Sequence, residues 1–415
     1  MTKRPAFDVA VLGAGMVGVA SAIHLARRGA SVVLVDRRGP GEETSHGNAG
    51  IIQREGVHPY LFPRSPLKLV QYAMNLRPEA HYQLASLPAV APFLWRYWRA
   101  SAPGQARRTL AANIPLFAAC LETHGELAAE AGAEALIARQ GWLRLLRAPA
   151  AVAEAQVQLA ELRALGLDAV LLSPSETGRL EPHLATGELA GAVHYRDPWT
   201  VSDPGALVRA YARLFERLGG TIRQADASKA RRDGGHWRIG DGLVAGRIVV
   251  ALGPWSKAFL AARGLKLPMG VKRGYHRHYR PAGAGVLNRP VVDDANGFVL
   301  APMAAGIRLT TGAEFARLEA PATPVQLARC LPIARRLFDL GEPVEAEAWL
   351  GARPVMPDML PVIGEAPGLP GAFLNFGHAH HGFTLGPASG RLLAQMMAGE
   401  TPFCDPSPYS AGRFL

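Results

Sequence analysis

Phe7-Asp8-Val9-Ala10-Val11-Leu12, then Gly13-Ala14-Gly15-Met16-Val17-Gly18, then Ser31-Val32-Val33-Leu34-Val35-Asp36 decide the fold of this chain. The first and last stretches are apolar and β-branched, the pattern of buried strands. Strand, glycine turn, helix and strand fit within about thirty residues, the length of a βαβ unit. Gly13 permits the tight bend, Gly15 lets the backbone approach a phosphate, and Gly18 lets the helix pack on the strand. Met16 and Val17 open the helix, whose N-terminus faces a pyrophosphate in such units. Asp36 lies eighteen residues past Gly18, where an acid accepts hydrogen bonds from a ribose hydroxyl. The pattern therefore predicts a dinucleotide site and leaves NAD and FAD both open. A glycine turn that binds nothing is the plain alternative.

With 415 residues and 49% hydrophobic composition the chain can bury a large core, divided into two domains or three. Prolines and arginines break every long apolar run, so no spanning helix is expected and the protein reads as soluble or peripheral. Lys3 and Arg4 lead into a run containing Asp8, which reads as a strand of the fold rather than a signal peptide. Cys120, Cys330 and Cys404 are odd in number and hold no Cys-x-x-Cys, which suggests neither a disulfide framework nor a metal site and fits a reducing, cytoplasmic setting. A net charge of +11 admits nucleic acid, an anionic membrane or an acidic substrate. Only six of the 45 basic residues are Lys, and the arginines are scattered through alanine-rich stretches, so composition bias accounts for most of the charge and no nucleic-acid partner is expected.

After the first unit, 37–56 reads as a loop, and 57–100 mixes Pro with aromatic and basic residues. Residues 105–165 read as mainly helical, interrupted by a possible strand at 141–146. Ser202 or Asp203 caps a helix with Pro204 in its first turn, running to Gly219-Gly220. Strands are expected at 221–224, 235–239 and 247–253, and short antiparallel strands across 268–312. A strand at 372–375 and a closing helix at 388–398 end the chain. The nucleotide-binding texture thus recurs at the start, middle and end. This predicts a domain of residues 1–56, 200–265 and 350–415 interleaved with a substrate domain of 57–199 and 266–349.

Four further stretches carry a resemblance. They are Ser45-His46-Gly47-Asn48-Ala49-Gly50, Val249-Val250-Ala251-Leu252-Gly253-Pro254-Trp255-Ser256, the run from Gly351-Ala352-Arg353-Pro354 to Gly364, and Gly377-His378-Ala379-His380-His381-Gly382-Phe383-Thr384-Leu385-Gly386-Pro387. In this order, over nearly the whole chain, they resemble the FAD-dependent D-amino-acid oxidase and glycine oxidase superfamily. Pro66-Leu67-Lys68 and the Pro357-Asp358 dipeptide after Arg353 resemble the small subunits of bacterial D-amino-acid dehydrogenases. The resemblance implies an α/β (α+β) fold, a Rossmann-like FAD-binding domain interleaved with a mixed, largely antiparallel-sheet substrate domain, and FAD in place of NAD.

It also implies roles for residues. Asp36 and Arg37 would flank the adenosine ribose, and Ser45, Asn48, Ala49 and Gly50 would line the pyrophosphate and flavin ring. Ala251 to Gly253 would pass under the cofactor. Gly382, Phe383 and Thr384 would aim backbone N–H groups at the flavin N1 and O2 edge, where such donors stabilise the charge of the reduced ring. Arg353 would hold a carboxylate with its guanidinium fork; a structural arginine bound to carbonyls is the alternative. His380 stands where glycine oxidases have a second substrate-side arginine, a departure that leaves the second carboxylate contact open. With Arg353 and His380, the candidate catalytic residues are His46, in the loop beside the ring, and Tyr275. Tyr275 and Tyr279 share one face of an alternating run, which either reaches the substrate or is core. No cysteine stands where covalent members of the superfamily place theirs, so FAD is expected to be non-covalent, with a link through His46 left open.

The chemistry so implied is oxidative deamination of a D-amino acid. Hydride would leave the α carbon for flavin N5, and the imine would hydrolyse to a 2-oxo acid and ammonia. Electrons would pass on to a quinone-type acceptor. Oxidation of secondary amines such as sarcosine, hydroxyproline or an opine is the alternative in the same fold; flavin-dependent tRNA modification and a non-catalytic electron carrier are the readings outside it. Between residues 54 and 108 eight basic residues face only Glu55 and Glu79, beside Phe93-Leu94-Trp95-Arg96-Tyr97-Trp98-Arg99. Such a mix suits a peripheral contact with an anionic bilayer on the inner membrane face, or else an aromatic cluster packed inside the substrate domain.

Overall fold

A computed structural model describes residues 6–240 and 242–415; Met1 to Pro5, with Lys3 and Arg4, and Asp241 lie outside the described residues. Phe7–Leu12, the helix Met16–Ala26 and Val32–Asp36 form the expected βαβ unit. Five parallel strands run side by side in the order Thr221–Gln224, Val32–Asp36, Phe7–Leu12, Leu243–Val250, Ala372–Phe376. Both faces are covered, as parallel sheets require. Val9, Val11, Val32 and Leu34 pack into one core with the helices, while Ala10, Leu12, Val33 and Val35 pack with Trp237 and Phe259 on the other side. The chain leaves Phe7–Leu12 toward one neighbour and returns from elsewhere to the other. The carboxyl end of this strand is therefore a topological switch point, where open α/β sheets bind their ligands.

A second sheet of eleven strands is built around the long strand Gly270–Pro281. Two pairings in it are parallel and the rest antiparallel, giving the mixed, largely antiparallel sheet expected. Trp349–Val355 hydrogen-bonds into this sheet along Gly270 to His276. Residues 350–355 therefore leave the C-terminal nucleotide segment in which 350–415 placed them. The helix Cys120–Ala131 differs from expectation in the opposite sense: Cys120, Leu127 and Ala128 share a core with Val19 and Leu392 on the nucleotide side.

Two element bounds also differ. The strand expected at 247–253 starts at Leu243 and stops at Val250, and Gly253 opens a short turn with φ +53°. The closing helix begins at Gly382, six residues before 388, and carries Pro387 inside it. Proline has no N–H for the carbonyl four residues back. That carbonyl belongs to Phe383, and it accepts instead from Nε2 of buried His124 at 2.9 Å. A side chain distant in sequence thus keeps the first turn of the helix satisfied.

Candidate active site

The glycine turn is pinned from below. Gly13 has φ +105°, and a Cβ there would stand 2.4 Å from the Ala251 carbonyl oxygen. Above the turn there is room, since a Cβ on Gly15 would meet only the Ser45 hydroxyl at 3.3 Å. The Met16 N–H donates to that hydroxyl at 3.0 Å. Asp36 accepts from the N–H groups of Ala14 at 2.7 Å and Arg38 at 2.9 Å, which ties the end of its strand to the turn. Arg37 pairs with Glu43 at 2.9 Å and lies over the Trp255 ring at 4.2 Å.

Two helix N-termini meet beside this turn. Met16–Ala26 and Gly382–Ala398 pack in parallel, and a Cβ on Gly386 would stand 2.7 Å from Met16 Cγ, one on Gly390 2.8 Å from the Ser21 nitrogen. Neither helix is capped by the side chain of its own N-cap residue, Gly15 or His381, and Ser45 takes only the Met16 N–H. Their first N–H groups thus share one region of positive potential. Val17 and Gly382 adjoin there, with 3.9 Å between Val17 Cγ2 and a Cβ built on Gly382. Phe383 is buried, and the Thr384 hydroxyl accepts from Gln53 N–H at 3.1 Å and donates to the Ile51 carbonyl at 3.3 Å, which moors the loop 45–52 to the helix start. Within that loop the Asn48 side chain accepts from Gly50 N–H at 2.8 Å and Arg308 donates to the His46 carbonyl at 3.0 Å, with Ala49 half-buried between them.

On the second sheet, Arg353 stands directly across from Lys272 in register. Its guanidinium lies over Gly274, where an added Cβ would meet Nη1 at 2.7 Å, and its one bond is a long one, 3.4 Å, to the Gly312 carbonyl. Burial lowers the Arg353 pKa, and the Tyr60 phenol raises it. Lys272 donates to the Tyr97 hydroxyl at 2.9 Å and is brought down to about 7 by burial and by Arg353. His380 packs edge-on against Tyr60 with centroids 4.5 Å apart, and burial, His381, Arg353 and Lys272 hold it neutral. Tyr60 is 56% exposed, and Lys272, Arg353 and His380 are half-buried, so all four keep accessible surface.

The other two candidates fall elsewhere. His46 meets His276 and Trp349, each 5.9 Å away, further along the same face, and burial and Arg308 lower its pKa. Tyr275 points to the opposite face, because successive residues of a strand alternate. There it is 1% exposed, donates to Glu314 at 2.9 Å and accepts from Thr323 N–H at 2.7 Å. Tyr275 and Tyr279 belong to the core of the second sheet, so the expectation of a substrate contact from Tyr275 is corrected. Lys272, on the other face, stands opposite Arg353. Lys272 stood in the same alternating run, one step out of phase with the tyrosines.

Residues 8–396 match the family model described as DAO, FAD dependent oxidoreductase. The chain belongs to this family. The oxidoreductase uses FAD, and the paired helix starts and the open face of the glycine turn are what a dinucleotide with an anionic middle and an electron-accepting ring requires. Solved structures share the fold. Glycine oxidase from Geobacillus kaustophilus is 23% identical, covering 99% of each chain with TM-score 0.73. L-proline dehydrogenase from P. horikoshii is 18% identical, covering 99% of this chain and 98% of that one with TM-score 0.74. Iminodiacetate oxidase from Chelativorans sp. BNC1 is 22% identical, covering 97% and 98% with TM-score 0.71.

Proposed function

We propose that this oxidoreductase oxidises the C–N bond of an amino acid, with a D-amino acid as first choice and a quinone-type carrier as electron acceptor. The observation that carries the proposal is Arg353, a half-buried guanidinium that pairs with no carboxylate among the described residues and keeps accessible surface near Tyr60 and His380. A substrate carboxylate fits that fork bidentately. When bound, FAD supplies the two-electron acceptor for the substrate's α-hydrogen. Gly13, Gly15, Met16, Val17 and Gly18 would hold its pyrophosphate, and Asp36, with lone pairs to spare beyond its two backbone bonds, would take the ribose. Arg37 would border the adenosine, and Ala251 and Gly253 would support the cofactor from below. Ser45, Asn48, Ala49 and Gly50 would wall the ring, and the N–H groups of Gly382, Phe383 and Thr384 would face its electron-rich edge.

The chain has little acid–base work to do. Neutral His380 and the Tyr60 ring shape the pocket, Arg353 orients the substrate, and water completes hydrolysis of the imine to a 2-oxo acid and ammonia. Secondary amines are the second choice, supported by the neighbours named for proline and iminodiacetate. FAD is held non-covalently in this proposal, so acid precipitation should release the yellow colour into the supernatant. A panel of D-amino acids and N-alkyl amino acids, added without oxygen, tests the substrate: bleaching by sarcosine and by no D-amino acid would overturn the first choice.

The acceptor would be met at a cytoplasmic membrane face. Among the described residues no helix is long and apolar enough to cross a membrane. Yet Leu61, Leu67, Val70, Met74, Leu76, Leu84 and Trp95 each expose 49% to 68% of their surface. Arg64, Lys68, Arg96 and Arg99 are exposed among them, while Phe93 and Tyr97 turn inward. The aromatic cluster is thus divided, and its outer half suits an anionic bilayer. Flotation with anionic liposomes at low salt should carry the protein upward, and Leu67→Glu with Val70→Glu should abolish it. Protein that stays at the bottom would end the membrane proposal.

A further inference from the structure

Lys272 and Arg353 stand opposite each other on one face of adjacent strands, two cations that one substrate carboxylate does not account for. Directly opposed residues of an antiparallel pair share a face, and like charges there repel. Three covered cations of the chain pair with an acid, Arg273 with Glu314 at 2.6 Å, Arg289 with Glu181 at 2.7 Å and Arg147 with Asp293 at 2.7 Å, while buried Arg308 bonds to His278 and to backbone carbonyls. Among the described residues neither Lys272 nor Arg353 has an acid partner. Glu55 and Asp294 bear on Tyr60 but on neither cation, and Glu55 accepts from Trp142 Nε1 at 2.8 Å.

The two charged ends also reach different places. Arg353 lies over Gly274, two residues along the strand from Lys272, a step of roughly 6.8 Å. Lys272 turns instead to Tyr97, with its ammonium bonded to the hydroxyl and 4.4 Å from the ring centre. A single carboxylate at Arg353 leaves that ammonium with the Tyr97 hydroxyl and the Tyr97 and Phe315 rings, and with no anion among the described residues.

We infer that the substrate is an amine bearing two carboxylates, one held by Arg353 beside the reacting carbon and the second held by Lys272. Acidic D-amino acids and N-carboxymethyl amino acids are the chemical class. The inference rests on the amine-oxidation proposal for the identity of the reaction, and on the two cations alone for the second acid.

The test separates the two. Holoenzyme is titrated with acetate, malonate and succinate, reading the change in flavin absorption and the shift in Tm, for wild type, Lys272→Met and Lys272→Arg. The wild type should bind malonate or succinate at least tenfold more tightly than acetate. Lys272→Met should erase that preference and Lys272→Arg should keep it. Dicarboxylates that bind no better than acetate, or a preference that survives in Lys272→Met, would overturn the inference. If Lys272→Met does not fold, the wild-type comparison decides by itself. A parallel arm compares anaerobic bleaching by D-aspartate, D-glutamate and iminodiacetate with that by D-alanine and sarcosine. Faster bleaching by the first group supports the inference, and faster bleaching by the second overturns it. If nothing bleaches, amine oxidation fails and the binding arm still decides the second acid.

Discussion

Lys272 and Arg353 face each other across neighbouring antiparallel strands, and each is held off its usual pKa by burial. For Lys272 the consequence is a proton equilibrium near neutrality, at about 7 against an ordinary 10.5. Between those values the unfolded chain binds more protons than the native one, so the empty enzyme gains stability through this group as pH rises from 7 toward 10.5. An anion beside the ammonium reverses this by drawing a proton on. Arg353, Tyr97 and His380 are the titratable groups facing Lys272, and none of them changes charge near pH 7. Malonate binding should therefore weaken by up to about tenfold per pH unit above 7. In Lys272→Arg it should stay flat, since guanidinium keeps its charge. Kd measured at pH 6.5, 7.5 and 8.5 checks both slopes.

Tyr275 belongs to the fold and not to the chemistry. Tyr275→Phe removes the hydroxyl shared by Glu314 and the Thr323 N–H; Glu314 keeps Arg273, and the loss of the acceptor for the half-buried Thr323 N–H costs about 1 kcal/mol. Thermal melting should register that loss while KM and kcat for the best amine stay at wild-type values. A changed KM with unchanged Tm would return Tyr275 to the substrate.

His124 answers the carbonyl that Pro387 leaves free. His124→Ala should loosen the start of the helix Gly382–Ala398 and so weaken FAD retention on dilution, together with a stability loss of about 1–3 kcal/mol. Adding Pro387→Ala restores an N–H to the helix ladder and should recover part of both. Retention that the second substitution leaves untouched would mean that the Phe383 carbonyl is not what His124 serves.

What the sequence disclosed and what it withheld follow from range. The βαβ unit was legible because its strand, turn, helix and acid lie within about thirty residues, and the helix Pro204–Arg217 because Asp203 caps it locally, accepting from Ala206 N–H at 2.9 Å. Arg353 was legible only through its motif. The meaning of Lys272 depends on which residue of a strand about eighty positions later lies opposite it, and that register is set by the whole sheet. Tyr275 is subject to the related limit that alternation places residues on two faces without saying which face holds the site. The early start of the closing helix was hidden by Pro387, whose lost hydrogen bond is replaced by a side chain more than 250 residues away.

The most direct test of the central claim is anaerobic reduction of the bound FAD by a panel of amino acids, followed at the flavin absorption maximum, in wild type and in Arg353→Met. At least one amino acid should bleach the wild type. The same compound should need a concentration higher by orders of magnitude to bleach Arg353→Met, with dithionite reducing both proteins alike. A flavin that no amine reduces, or one reduced equally well without Arg353, would contradict the account.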